Sequence, residues 1–397
     1  MMMLPMMLAL PSVPICGTVQ VSSAPAKVRS TAIATYPLEI RPTDVYVGDL
    51  NHDGRSDLIA ANARGVFSKE PVGPIALILS PSVQDPRPVQ WIPGPHPAVH
   101  EFHLVDANRD GLLDLVYLTS RGGESLAEAT EVDCWVMMAD QELKYSNRVC
   151  TKVPGRIESC TSGDVNGDGK ADLLIGRGDR RGVALYELSG QGAAFRRDLG
   201  ISLESDPQFL LCCDLDPDPG DELLVLTSRQ LEVYSNFKSG GKLRMILTED
   251  LRIPASGVSF ASARSGGSQV AVTSFFPDCG AELFFLDEKP QVKGRRFLNI
   301  EGIPPHAALA DLDADGRLDI VTSAGAANTV SLSFNLSEAA PSPSLQCGLF
   351  VTPMMARPID TDGDGVMEIA IAEESARRVS LARLEAWTAP QKSGEKK

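Results

Sequence analysis

Residues 164–175 read Asp-Val-Asn-Gly-Asp-Gly-Lys-Ala-Asp-Leu-Leu-Ile, four oxygen-bearing side chains at Asp164, Asn166, Asp168 and Asp172 running straight into an apolar stretch. Offsets of 0, 2, 4 and 8 put hard oxygen donors on one side of a short loop, the arrangement that encloses a Ca²⁺ ion. The same pattern occurs at Asp49-Asn51-Asp53-Asp57, Asp106-Asn108-Asp110-Asp114, Asp214-Asp216-Asp218-Glu222, Asp311-Asp313-Asp315-Asp319 and Asp360-Asp362-Asp364-Glu368. In each copy the backbone carbonyl at the seventh position, Arg55 or Lys170 for example, would complete the ligand set with water. Polar hairpin turns also favour Asp, Asn and Gly without any ion, but four like-charged or amide oxygens would then face one another uncompensated. An EF-hand needs a bidentate Glu at the twelfth position. The twelfth residues here are Ala60, Tyr117, Ile175, Val225, Thr322 and Ile371, which excludes it.

The first loop residues are separated by 57, 58, 50, 97 and 49 positions. The doubled step holds an eroded seventh copy, Ala261-Ala263-Ser265-Gln269 with Gly266 at the loop glycine, followed by Val270-Ala271-Val272. A repeat of roughly 50 residues signals a solenoid or a propeller. After each loop come short β-branched runs separated by Gly/Ser/Arg-rich breaks, such as 58–60, 75–79, 115–118, 183–188, 330–334 and 369–371, which read as strands, about four per unit. Radially repeated four-stranded antiparallel sheets make an all-β, seven-bladed β-propeller with few exposed edges. The last unit lacks a fourth strand and 31–40 belongs to no earlier unit, so pairing of the two ends of the chain is expected to close the ring.

These units resemble the FG-GAP/VCBS repeats of integrin α-subunit head domains and of secreted bacterial proteins, over residues 31–387. The resemblance implies that the Ca²⁺ loop joins the first two strands of each blade and that ligands dock on the face opposite the loops. The variable segments 63–73, 93–101, 121–131 and 178–181, with His96, His100, Arg180 and Arg181, are the candidates there. Two units depart from the pattern. Pro219 stands where the fourth loop calls for glycine at positive φ, although Gly220 follows. The fifth unit has no loop carboxylate, so five to six Ca²⁺ sites are expected.

The formal net charge is −15, and six bound Ca²⁺ would bring it to −15 + 12 = −3. The acidity is therefore mainly that of the loops, and it speaks against nucleic acid, which needs a basic face. Residues 1–15 are almost wholly apolar and precede Ala24-Pro25-Ala26, a secretory cleavage pattern, so 1–26 reads as a signal peptide and the chain as secreted, periplasmic or at the cell surface. No other stretch reaches transmembrane length. Residues 388–397 form a polar, lysine-rich tail expected to be disordered.

Seven of the eight cysteines remain after a cut at Ala26, leaving at least one unpaired. Cys134 and Cys150 flank a hairpin turn at 139–142 nearly opposite one another, a spacing that admits a disulfide, whereas Cys212 and Cys213 read as buried thiols. His96 and His100 fall in a Pro/Gly-rich connection and His103 on the next strand, without an acidic or thiol partner at metal spacing; Trp91, Trp135 and Trp387 read as packing residues. The sequence carries no G-x-S-x-G, H-E-x-x-H, phosphate-loop or dinucleotide signature. It reads as a module binding a protein or a glycan. An enzyme of the polysaccharide-lyase type on the same scaffold is the alternative.

Overall fold

A computed structural model describes residues 28–386 apart from 63–73, 83–87, 93–98, 121–127, 180, 217, 238–242, 263–267, 275–278, 288, 301–304, 338–343 and 348–349. The proposed signal peptide, the tail, His96, Arg180, Trp387 and most of the variable segments lie outside the described residues. Among those described, the strands form seven four-stranded sheets, each antiparallel throughout. Six blades run in chain order from the inner strand outwards. In blade 1 the strands are Asp44–Gly48, Asp57–Ala61, Ile75–Ile78 and Gln90–Ile92. Blades 2 to 6 begin with the inner strands Val99–Val105, Ile157–Gly163, Phe209–Cys213, Gly257–Ser262 and Pro305–Ala310.

Blade 7 is composite. Its first three strands are Pro353–Ile359, Glu368–Glu373 and Arg378–Ala386, and its outer strand is Val28–Pro37 from the start of the described chain. The pairing runs from Val28↔Ala386 to Pro37↔Arg378 with one irregularity between Ser30 and Ala32. The closing strand thus begins three residues before the expected 31–40 and ends at Pro37.

Seven apolar clusters fill the seven gaps between neighbouring blades. Leu50, Ile59, Leu77 and Ile92 of blade 1, for instance, pack on Phe102, Leu115, Tyr117 and Met137 of blade 2. Blade 7 meets blade 1 through Val379, Leu381, Val45 and Leu58. Both faces of every blade are therefore covered, and a strand buried on both faces carries a continuous apolar run instead of an alternating one. Asp57–Ala61, Asp114–Ser120, Glu222–Leu226 and Asp319–Ala324 are buried at every position. This is the physical origin of the apolar run after each acidic loop.

Three expectations are corrected. Cys134 pairs with Thr151 and Cys150 with Trp135, a one-residue offset that places the two thiols on opposite faces of the sheet. Cys134 is buried, Cys150 is exposed, and no disulfide joins them. His100 lies on the inner strand of blade 2, not in the connection before it. In blade 5 the hairpin zips up to Ser262↔Ser268, and Ala261 pairs with Gln269 inside the ladder. Without carboxylates to hold apart, the strands pair through positions that form the open loop elsewhere. The Cys212 and Cys213 reading holds: both are free thiols on an inner strand, half-buried and buried, with burial raising both pKa values.

Candidate metal-binding loops and central channel

Six acidic loops join the first and second strands of blades 1, 2, 3, 4, 6 and 7, as the sequence places them. Five share one backbone course. Their fourth residues, His52, Arg109, Gly167, Ala314 and Gly363, have φ between 55° and 77°, and their sixth, Gly54, Gly111, Gly169, Gly316 and Gly365, between 76° and 90°. Two left-handed turns so close together wind the chain around the first carboxylate. Asp164 accepts the N–H of Asp168 (3.0 Å) and of Gly169 (2.6 Å). Asp49, Asp106 and Asp311 do the same with the residues four and five places on. The fifth carboxylates in turn accept from the seventh residue: Arg55, Leu112, Lys170, Arg317 and Val366 donate at 2.8–3.0 Å.

Blade 4 departs, as proline dictates. Gly220, one place later than in the other loops, takes the positive φ of 108°. The displaced loop leans on its neighbour: Asp221 donates its N–H to the Asp164 carbonyl (2.8 Å) and accepts the Asp164 N–H on its carboxylate (2.9 Å).

The ninth carboxylate has a role that spacing alone does not reveal. Asp319 accepts the N–H of Leu312 (2.8 Å) at the start of its own loop and of Asn335 (2.7 Å) beyond the third strand. Asp57 bridges Leu50 and Ser80, and Asp114 bridges Ala107 and Ala139, in the same way. Glu222 accepts from Leu215, and Glu368 from the N–H and hydroxyl of Thr361. In blade 3 the Asn166 amide donates to Asp172 at 2.9 Å. All of these acids are buried. Burial, then the neighbouring loop carboxylates, push Asp114 up to about 6 and Asp172, Glu222 and Asp319 up to about 7; Asp57 and Glu368 move the same way.

Two loops bring three carboxylates within 4.8 Å of one another: Asp311, Asp313 and Asp315 in blade 6, and Asp360, Asp362 and Glu368 in blade 7. Either cluster can coordinate a metal ion. The donor set suits a hard divalent cation, being all oxygen and, at the ninth position, ionised only at a cost that a bound cation would remove. In blade 7 the Arg383 guanidinium lies 3.1 Å from Asp362, 3.5 Å from Asp364 and 3.8 Å from Glu368. Hairpin register, Ile369 opposite Ala382, brings that neighbour in. Arg109 of loop 2 reaches across to loop 3, donating to the Asp168 carbonyl at 2.5 Å.

The strand order places the turns from second to third strand and the links from blade to blade on the face opposite the loops. Its described part near blades 3 and 4 is charged but largely paired: Arg156 contacts Glu158 (2.7 Å) and Asp206 (2.5 Å), and Arg177 contacts Asp179 (3.1 Å). Arg181 is exposed, reaches Asp206 at 3.8 Å and donates to the Glu204 carbonyl. The tryptophans pack as expected where described. Trp135 stacks near Tyr117 and donates to Thr119, and Trp91 packs against the cluster between blades 7 and 1.

The inner strands also line a cavity of about 310 Å³ bordered by Tyr46, Phe102, His103, Leu104, Arg357 and Pro358. Tyr46, His103 and Arg357 each stand three residues before the first aspartate of their loop. That shared offset was the sequence signal for a common layer of the ring. His103 contacts the Cys160 sulfur at 3.2 Å, and burial lowers its pKa to about 4.

Fold and loops together define a seven-bladed β-propeller with FG-GAP repeats. Residues 106–175 match the FG-GAP-like repeat and residues 159–193 the FG-GAP repeat, a span running from loop 2 to the start of the outer strand of blade 3. Among solved structures the chain is similar to one from the crystal structure of BBS1N in complex with ARL6DN soaked with lead, at 11% identity and a TM-score of 0.54, covering 94% of this chain and 100% of that one. The mercury-soaked form of the same complex gives 10% identity, a TM-score of 0.56 and 92% and 100% coverage. At such identity the likeness concerns the fold alone. No curated protein matches by sequence. Among the described residues no helix is long and apolar enough to cross a membrane.

Proposed function

We propose that the chain is a secreted, periplasmic or cell-surface propeller stabilised by Ca²⁺ in five to six of its loops, and that it binds a protein or a glycan on the opposite face. The observation that carries this reading is the repeated loop, whose first, third and fifth side chains lie together in blade 6 and whose buried ninth acid is held ionisable only with difficulty. Asp49, Asp53 and Asp57 with Asn51, and their counterparts in the other loops, would hold the ion. Its chemistry would be structural: a bound divalent charge offsets carboxylates that otherwise repel. The face opposite the loops is left to recognition, with Arg181 as an exposed cation on its rim.

Melting curves with Ca²⁺ and after exhaustive chelation test the metal. One site filled at 100 times its dissociation constant adds about 2.7 kcal/mol, so several sites raise the melting temperature by many degrees. Identical curves would remove the metal from the proposal. Elemental analysis counts the sites, and a glycan and protein array probed with the loaded chain tests the binding role. Substitution of Arg181 should then weaken the ligand found without lowering the Ca²⁺-loaded melting temperature.

A further inference from the structure

The cavity among the inner strands of blades 1, 2 and 7 holds one permanently charged side chain. Arg357 is half-buried there and makes no hydrogen bond or ion pair among the described residues, so its guanidinium has five donor hydrogens uncommitted to protein. The rest of the border sets Phe102, Leu104, Val47 and Pro358 beside the polar tips of Tyr46 and His103. Guanidinium matches carboxylate in a planar, two-pronged contact. A volume of about 310 Å³ lies at the small end of ligand sites and suits a molecule the size of an amino acid or a sugar acid.

We propose that this cavity binds a small organic monocarboxylate, its carboxylate on Arg357 and its body against Phe102, Leu104 and Pro358. Phe102, Leu104 and Pro358 favour an organic acid over an inorganic anion, since only the former has a carbon body to bury against them. A single negative charge is favoured as well. Asp44, on the neighbouring strand, lies close enough to feel the Arg357 charge and would repel a dianion, and His103 adds no positive charge because burial keeps its pKa at about 4. The pairing does not depend on metal in the loops or on the face proposed for recognition.

Isothermal titration of the full chain in Ca²⁺ tests the proposal, with glucuronate and N-acetylglycine as separate arms for a sugar acid and an amino-acid-like acid. Glucose and inorganic phosphate serve as controls. Saturable one-to-one binding of either carboxylate is expected, weakened by about tenfold or more in Arg357→Met, with Arg357→Lys in between. Phosphate should not displace the carboxylate. Binding of neither acid, equal binding by Arg357→Met, or equal competition by phosphate would overturn the assignment. Metal content and melting temperature of the variants, measured in parallel, report on the loops independently and confirm that Arg357→Met is folded.

Discussion

Asp319 shows how one residue type serves two purposes at different positions of the same loop. The first, third and fifth acids point at one another, whereas the ninth is tied to backbone N–H groups of two separate segments. The spacing of all four was legible in the sequence. The bracing role was not, because one donor, Asn335, lies 16 residues away and is brought in only by the hairpin. Removing the brace leaves buried donors unsatisfied at a cost of about 1–3 kcal/mol each. Asp319→Ala should therefore destabilise the protein even in chelator, while Asp313→Ala should act only when Ca²⁺ is present; denaturant midpoints in both buffers separate the two. Glycines in the loops divide in the same manner. Gly54 (φ +83°) has open space where a Cβ would stand, and Gly54→Ala should cost only the left-handed strain of about 1–2 kcal/mol. A Cβ on Gly220 would lie 3.0 Å from backbone atoms of the blade 3 loop, so Gly220→Ala should be clearly worse.

At the scale of strands and hairpins, most of the architecture could be read in advance. Short β-branched runs, a period near 50 residues and an orphan strand at the start gave seven blades and their closure, because burial on both faces writes an unbroken apolar run into each second strand. What escaped was register. One residue of offset separates Cys134 from Cys150, and only the register of the last hairpin brings Arg383 beside Glu368. The closing strand makes a strong prediction of its own. Val28–Pro37 supplies Ala34 and Tyr36 to the core between blades 7 and 1, and Tyr36 exchanges hydrogen bonds with Ser82. A chain beginning at Asp44 would expose the edge of Arg378–Ala386 and those contacts together. It should be insoluble or far less stable than the full chain, as sedimentation and chemical denaturation would show; equal stability would mean that the strand is dispensable.

Across the whole molecule, the buried acids set an unusual response to pH. Asp114, Asp172, Glu222 and Asp319 have folded-state pKa values of about 6 to 7, above their unfolded values, so the stability linked to their protonation is complete below about pH 4 and is lost as pH rises towards 7. His103 and His306, lowered to about 4 by burial, work the other way between pH 6.5 and 4. Asp44, which burial raises to about 6, joins them, and five acids outnumber two histidines, so the metal-free protein should melt higher at pH 5.5 than at pH 7.5. Ca²⁺ should reverse that order by favouring the ionised acids, and scanning calorimetry of the stripped and loaded protein would reveal both. Only the acids' positions were visible in the sequence. Their altered acidity comes from the packing of seven sheets around them.

The composite seventh blade also imposes a schedule. Val28 is among the earliest described residues to leave the ribosome, yet its partner Ala386 is among the last. Each of the first six blades has all four of its strands soon after they are made, but the outermost strand of the seventh must wait, edge exposed, until Arg378–Ala386 has been made. Loop-closure entropy over so long a separation makes this the slowest pairing to find. The junction that seals the ring is then both the last step in assembling the propeller and the place where an unfinished ring is most open to chaperones, proteases or a strand from another copy.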